Sequence, residues 1–248
     1  LAGRTPITEG ELRGGKSQNI HWRQESRDQG GIVREFVKWD YEVRTNQNLP
    51  AVVARAYKIA MSEPRGPVYL TLPREWLCEV MESTQVISGS LAPASKAQAD
   101  AAVLDKIAEL LLGAENPLIV TKYLGRNPEA VAHLVALAET LSIPVVQNLN
   151  YVNFPTDHPM YVGNQTLKYA KDADVLFFID IDVPWEPPRR DAIRSDATII
   201  HLERDPLFTG IPGWGFPADF PVTACSEIAL PVLNSLVLQK LAAGSGDP

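Results

Sequence analysis

Residues 117–150 read PLIVTKYLGRNPEAVAHLVALAETLSIPVVQNLN, and this stretch decides the fold class. Leu118-Ile119-Val120 is a short apolar run suited to a buried strand. Gly125 and Asn127-Pro128 interrupt it, and apolar residues return at Val131, Leu134, Val135, Ala138 and Leu141 with the spacing of one helix face. Asn127 is placed to cap that helix with its side-chain oxygen. Pro128 suits the first helical position, where its missing N–H needs no partner, and Glu129 stands against the positive end of the helix dipole. Ile143-Pro144-Val145-Val146 then supplies a second buried strand. Strand, helix and strand of this length predict a parallel βαβ unit, and therefore an α/β protein.

The pattern continues on both sides. Towards the C-terminus, apolar residues predict strands over Val175–Ile181 and Thr198–Leu202, a short helix over Leu167–Ala170 and a closing helix over Ser226–Leu241, with 153–163 as a loop. Ahead of the central stretch, Val103, Ile107, Leu110 and Leu111 mark one face of a helix over Ala99–Leu112. Strands alternating with helices in this way predict a small doubly wound parallel sheet, whose ligands lie beyond the carboxyl ends of the strands. Residues 81–98 turn to Ser, Thr, Gly, Pro and Ala and read as a linker. Before it, Leu49–Met61 is periodic enough for a helix, and Val68–Pro73 reads as a buried strand. Gly30–Trp39 is expected to be a short helix and Leu1–Gln29 a long loop. The expected organisation is thus the C-terminal part of one α/β domain over 1–80, a linker over 81–98 and a Rossmann-like domain over 99–242.

Composition excludes several classes. A formal charge of −7 with scattered Lys and Arg gives no basic footprint for nucleic acid. No apolar run approaches the ~20 residues that span a bilayer, so no membrane partner is expected. Cys78 and Cys225 lie far apart without neighbouring His or Cys at ligand spacing, which predicts neither a disulfide framework nor a metal site and fits a cytoplasmic protein. The chain opens on Leu1 rather than Met, and it reads as a piece of something longer.

The order of phrases along the chain resembles the thiamine diphosphate enzymes of the acetolactate synthase type. Phe36-Val37-Lys38-Trp39-Asp40-Tyr41, the helix from Leu49 to Met61, and Gly66-Pro67-Val68-Tyr69-Leu70-Thr71-Leu72-Pro73 are similar to the end of that family's pyrimidine-binding domain. Asn116 to Val120, Leu141 to Val146, Phe154 to Pro159, Ala173 to Leu176 and Ile199 to Pro206 are similar to its central domain. The resemblance implies a thiamine diphosphate- and Mg-dependent parent enzyme that makes or breaks a C–C bond next to a carbonyl, by decarboxylation of a 2-oxo acid or acyl transfer from one. It implies a small 2-oxo acid or related carbonyl substrate and a homodimer or homotetramer. The family's catalytic glutamate and its Gly-Asp-Gly to Asn motif for diphosphate and Mg are both missing, so this chain is expected to hold no catalytic residue and to be inactive alone. Gly246-Asp247-Pro248 is not that motif, since no glycine follows.

Site residues follow from the same resemblance. Trp22-Arg23-Gln24-Glu25 is similar to the family's Phe-Gln-Glu segment near cofactor and substrate, and Lys38 matches a lysine at the substrate entrance. A polar loop and a solvated lysine are the competing readings, and His21 reads as an ordinary surface residue. In FAD-binding members a glycine-rich turn follows the first strand of the central domain. Here the loop is Thr121-Lys122-Tyr123-Leu124-Gly125-Arg126-Asn127. Tyr123 and Leu124 obstruct backbone approach to a diphosphate, although Lys122 or Arg126 can pair with a phosphate. Asp180 and Asp182 repel one, and Glu203 and Asp205 are placed either to take ribose hydroxyls or to cap a turn. FAD or ADP is therefore not expected in the central domain, although Lys122, Tyr123, Gly125, Arg126, Asp180 and Glu203 are the candidates if a nucleotide binds. Asp180 and Asp182 are two apart, as in a metal pair, but lack a third ligand. His158 reads as a turn residue, and His133 and His201 as packing or surface residues. The alternative to an enzyme fragment is a nucleotide-binding or purely structural assembly module, with the Trp185–Pro188 and Ile211–Pro217 loops as exposed aromatic surface.

Overall fold

A computed structural model of the chain describes residues 1–81, 90–148, 151–186 and 192–244. Residues 82–89 of the 81–98 linker, with Asn150, Pro187-Pro188 and the Gly246–Pro248 terminus, lie outside the described residues. The chain divides into two compact units, Leu1–Ser95 and Lys96–Pro248.

The second unit is built on a five-stranded sheet, all parallel. Its strands are β4 (Pro117–Thr121), β5 (Val145–Gln147), β6 (Val175–Ile179), β7 (Thr198–Glu203) and β8 (Phe220–Thr223), in the order β5-β4-β6-β7-β8. The chain leaves β4 to form β5 on one side and later β6 on the other, so the order reverses between β4 and β6. This is the doubly wound α/β arrangement, and the crevice at its switch point lies where the β4 and β6 chains diverge. Every residue of β6 is buried, as a central strand covered on both faces requires. Ile119 and Phe177 pack on one face against α4 (Ala101–Gly113), α5 (Pro128–Leu141) and α7 (Ser226–Gly244), while Leu118, Val120 and Phe178 pack on the other with Ala170, Ile193 and Trp185. A short helix, α6 (Thr166–Ala170), also lies on this second face.

Local chemistry sets the ends. The Asn127 side chain accepts from Glu129 N at 3.3 Å, the cap expected from sequence, and α5 closes on left-handed Ser142. Helix α4 begins two residues later than Ala99, because Asp100 caps it by accepting from Ala102 N at 2.8 Å. Strand β8 carries Pro221 and has too little periodicity to be read from sequence. Among the described residues it pairs only with β7, and a residue without an N–H is tolerated on such an edge.

In the first unit, α2 (Leu49–Met61) and β3 (Val68–Pro73) have the expected bounds, and α3 (Arg74–Cys78) follows β3 directly. Two expectations are overturned. The 1–29 segment holds strand β1 (Ala2–Arg4) and one helical turn, α1 (Ile20–Arg23), and Gly30–Trp39 is not one helix. Gly30–Ile32 and Arg34–Phe36 form separate 3-10 turns, and Trp39 opens strand β2 (Trp39–Glu42). The glycine pair is a poor helix interior. Arg34 donates to both Asp28 and Asp40, and Lys38 N donates to Pro67 O at 2.7 Å, which draws the segment into the sheet. All three strands are parallel, in the order β1-β3-β2.

Candidate functional site

At the carboxyl ends of β4, β6 and β7 the crevice holds a network of the chain's own charges. Asp180 follows β6 in the left-handed region, φ 49°, and its carbonyl accepts from Tyr123 N at 2.8 Å. That turn ends the strand alternation, and the Asp180 side chain is fully buried. Its carboxylate accepts from Arg126 Nη2 at 3.2 Å, Arg204 Nη1 at 3.1 Å and Ser226 Oγ at 2.6 Å. Arg126 also donates to Glu203 at 3.1 Å, and Arg204 to Glu227 at 3.1 Å. Glu227 takes Lys96 as well, at 2.9 Å. Burial, and then the nearby Asp180 charge, push Glu203 above the usual carboxylate range. Burial acts the same way on Glu227, but Lys96, a backbone N–H and Arg204 together outweigh it and the carboxyl sits lower than usual.

Asp182 has different partners. Lys122 Nζ donates to it at 2.8 Å and the Tyr123 hydroxyl at 3.0 Å. Burial opposes both charges, yet the mutual bonds prevail, holding Asp182 below its ordinary range and Lys122 above its own. The two aspartates are therefore neutralised separately. They do not form a metal pair, and among the described residues no group of three or more His, Cys, Asp or Glu is placed to hold a metal ion.

Gly125 has a packing reason rather than a phosphate one. A Cβ there would overlap the Val152 carbonyl oxygen, because residues 151–153 lie directly over the loop. Asn153 fixes this cover by accepting from Gly125 N at 2.8 Å, while Gln147 accepts from Asn153 N and Phe154 N, each at 2.9 Å. Asp205 accepts from Thr209 N at 2.9 Å and its hydroxyl at 2.8 Å, the turn-cap alternative of the sequence reading. His158 accepts from Met160 N at 3.1 Å within its own turn. The residues that sequence reasoning missed are Arg204, Ser226, Glu227, Lys96, Gln147 and Asn153. The available signal was a charged run, Glu203-Arg204, directly after a buried strand.

The aromatic loops turn inwards. Trp185 is buried against Phe178, centroids 5.8 Å apart, and against Phe216 at 5.2 Å. Trp214 packs on Phe208 at 4.7 Å and donates to Asp182 O at 2.8 Å. The expected exposed aromatic surface is thus spent within the unit, with Pro187 and Pro188 outside the described residues. His201 is fully buried beneath Phe208 and Trp214, and its Nε2 donates to Ile181 O at 2.7 Å.

Burial lowers His201 to about 4. An unfolded histidine protonates near ~6.5. Between those values the unfolded chain binds more protons, so stability falls as pH drops through this window. The expected loss between pH 7 and pH 5 is about 2 kcal/mol. Glu203, raised in the folded state, contributes with the opposite sign, and that contribution is shared by a His201→Phe variant. Urea midpoints at the two pH values should therefore show the extra loss in the parent protein and not in the variant. Equal slopes would contradict the burial of a neutral imidazole.

In the first unit, Trp22 Nε1 donates to Glu9 at 2.8 Å, and the buried Lys16 ammonium joins Glu9 at 2.8 Å to Glu25 at 2.7 Å. The Lys16 ammonium also stands 5.7 Å from the Trp22 ring centroid. Trp22, Gln24 and Glu25 are exposed. Lys38 donates to Ser62 O at 2.7 Å and Pro64 O at 2.9 Å, tying the turn after α2. His21 accepts from Ser17 N at 3.1 Å.

Comparison with known proteins points to one family. Residues 104–227 match the family described as thiamine pyrophosphate enzyme, central domain. The chain is 26% identical over 197 residues to acetolactate synthase of Bacillus subtilis, covering 76% of this chain and 34% of that protein. It is 32% identical over 147 residues to benzoylformate decarboxylase of Pseudomonas aeruginosa, covering 55% and 26%. A solved structure of benzoylformate decarboxylase from Polynucleobacter necessarius superimposes with a TM-score of 0.72 at 23% identity, over 90% of this chain and 43% of that one. That likeness bears on the fold alone. The chain spans about a third or less of the length of these curated relatives.

Proposed function

The chain belongs to the thiamine pyrophosphate enzymes through the central-domain family that residues 104–227 match, and from that premise we propose that it is part of an enzyme acting on a small 2-oxo acid. The reaction makes or breaks a C–C bond beside the carbonyl, by decarboxylation or by acyl transfer. The observation that carries this reading is the central-domain match over a sheet ordered β5-β4-β6-β7-β8. The names of the relatives, a synthase and a decarboxylase, support the reaction class.

The residues present do not fit the cofactor's own grip. Among the described residues no metal-binding group occurs, and the sequence has no Gly-Asp-Gly. Thiamine diphosphate and Mg would therefore be held elsewhere in a longer protein, as a homodimer or homotetramer, and this chain alone is inactive. Leu1–Ser95 is read as part of the pyrimidine-binding domain. Its exposed Trp22 and Gln24 are the substrate-side candidates, and Glu25 is occupied by Lys16. Lys38 is less suited, because its ammonium is committed to two backbone carbonyls. The central domain serves as scaffold, without FAD or ADP, since Arg126, Asp180, Glu203 and the 151–153 cover fill the diphosphate side of the crevice.

The test is turnover of pyruvate and benzoylformate by the full-length protein, with and without thiamine diphosphate and Mg. Turnover that depends on both, and that the 248-residue chain alone does not show, is expected. Turnover by the 248-residue chain, or turnover indifferent to thiamine diphosphate, would refute the reading.

A further inference from the structure

Beside the ion network lies an open cavity of about 550 Å³, within the size range of small-molecule sites. It is lined by Lys122 after β4, Asn148 after β5, Gln165, Thr166 and Lys168 at α6, and Trp185 after β6. Arg126, Asp180 and Glu203 are not among its lining residues. The crevice is thus filled on its β7 side and open on its β5 side.

The open half is rich in donors. Two ammonium groups face one carboxylate, Glu186, among the described lining residues. Lys122 spends a bond on Asp182, at 2.8 Å, and an ammonium has three to give. Two lining residues also carry buried polar atoms without a partner: Trp185 Nε1, on a residue 4% exposed, and Thr166 Oγ1, on one 6% exposed. Leaving such groups unmade is costly. An indole N–H and an ammonium can only donate, so the group that satisfies them must accept. Trp185 is held by Phe178 and Phe216, so this wall is set before any ligand arrives.

We propose that this cavity binds a small oxyanion, a carboxylate or a phosphate monoester, held by Lys122 and Lys168 and hydrogen-bonded by Thr166 and Trp185. The inference goes beyond the proposed reaction and does not depend on it. Half a crevice admits a compact acid, whereas a dinucleotide needs the filled half as well.

The test uses the 248-residue chain at constant ionic strength, titrated with inorganic phosphate and, separately, with malonate, by calorimetry and tryptophan fluorescence. Saturable 1:1 binding of at least one anion is expected. Lys168→Gln, at an exposed position, should weaken it about tenfold and Thr166→Val about threefold. Preference for phosphate assigns a phosphate monoester, and preference for malonate assigns a carboxylate. Absence of saturable binding for both, or binding unchanged in both variants, overturns the site. ADP, run in parallel, should bind no tighter than phosphate. A hundredfold tighter ADP would overturn the small-oxyanion assignment in favour of a nucleotide.

Discussion

Arg204→Met lowers the stability of the Lys96–Pro248 unit by about 3 kcal/mol, or about 10 °C in melting temperature. The side chain is 4% exposed and joins Asp180 to Glu227. Removing the guanidinium leaves both carboxylates in place, with Asp180 fully buried and Glu227 at 3% exposure. Methionine fills much of the volume, so the cost is chiefly electrostatic. Arg126, Ser226 and Lys96 remain as partners and keep the loss near the lower end of what breaking a buried pair costs. Adding Glu227→Gln removes one stranded charge and should recover part of the loss. Chemical denaturation of the two single variants and the double variant checks this. A loss below about 1 kcal/mol in Arg204→Met would mean that the network is not coupled as described.

Gly125→Ala is expected to cost about 3 kcal/mol, although the change is one methyl group on a half-buried loop. The glycine is not in the left-handed region, so backbone strain is not the cause. The new Cβ would meet the Val152 carbonyl oxygen, with the carbonyl carbon at 2.8 Å and Tyr151 Cβ at 3.0 Å. These neighbours include backbone, which cannot rotate aside. The 151–153 cover must lift, and lifting it breaks the Asn153 bond to Gly125 N and strains the two bonds that Gln147 makes at Asn153 N and Phe154 N. Thermal denaturation reads the cost, and amide exchange at Asn153 and Phe154 reads the lifting. A variant within about 0.5 kcal/mol of the parent, with both amides still protected, would show that the cover can yield without loss.

The fold was legible wherever local chemistry and packing agreed. Leu49–Met61, Val68–Pro73 and the 117–147 βαβ unit emerge with their expected characters, because their apolar periods and caps serve the same core. Trp39 was misread, and the strand from Phe220 went unread, because a four-residue strand has no period of its own. Its partner, β3 or β7, decides it. The site was legible in composition but not in arrangement. Tyr123, Asp180 and Asp182 were read as hostile to a diphosphate through bulk and repulsion, but the two aspartates do not stand as free charges. Asp180 is turned inward onto Arg126 and Arg204, and Asp182 is neutralised by Lys122. Arg204, Glu227 and Lys96 meet across long stretches of chain, and no spacing rule connects them. Trp185 read as surface because a Trp-Glu-Pro-Pro run resembles a loop tip. Phe178 on β6 and Phe216, which is distant in sequence, bury it.

Arg126, Asp180, Glu203 and Arg204 fill the β7 side of the switch-point crevice with the chain's own charges. Calorimetric titration of the 248-residue protein with FAD, and then with ADP, asks whether that side can still take a nucleotide. No saturable heat is expected for FAD, and for ADP at most the weak binding of its phosphate. A 1:1 complex with either nucleotide at a micromolar dissociation constant, weakened by Arg126→Ala, would contradict this filling, because Arg126 would then be holding a phosphate instead of Asp180 and Glu203.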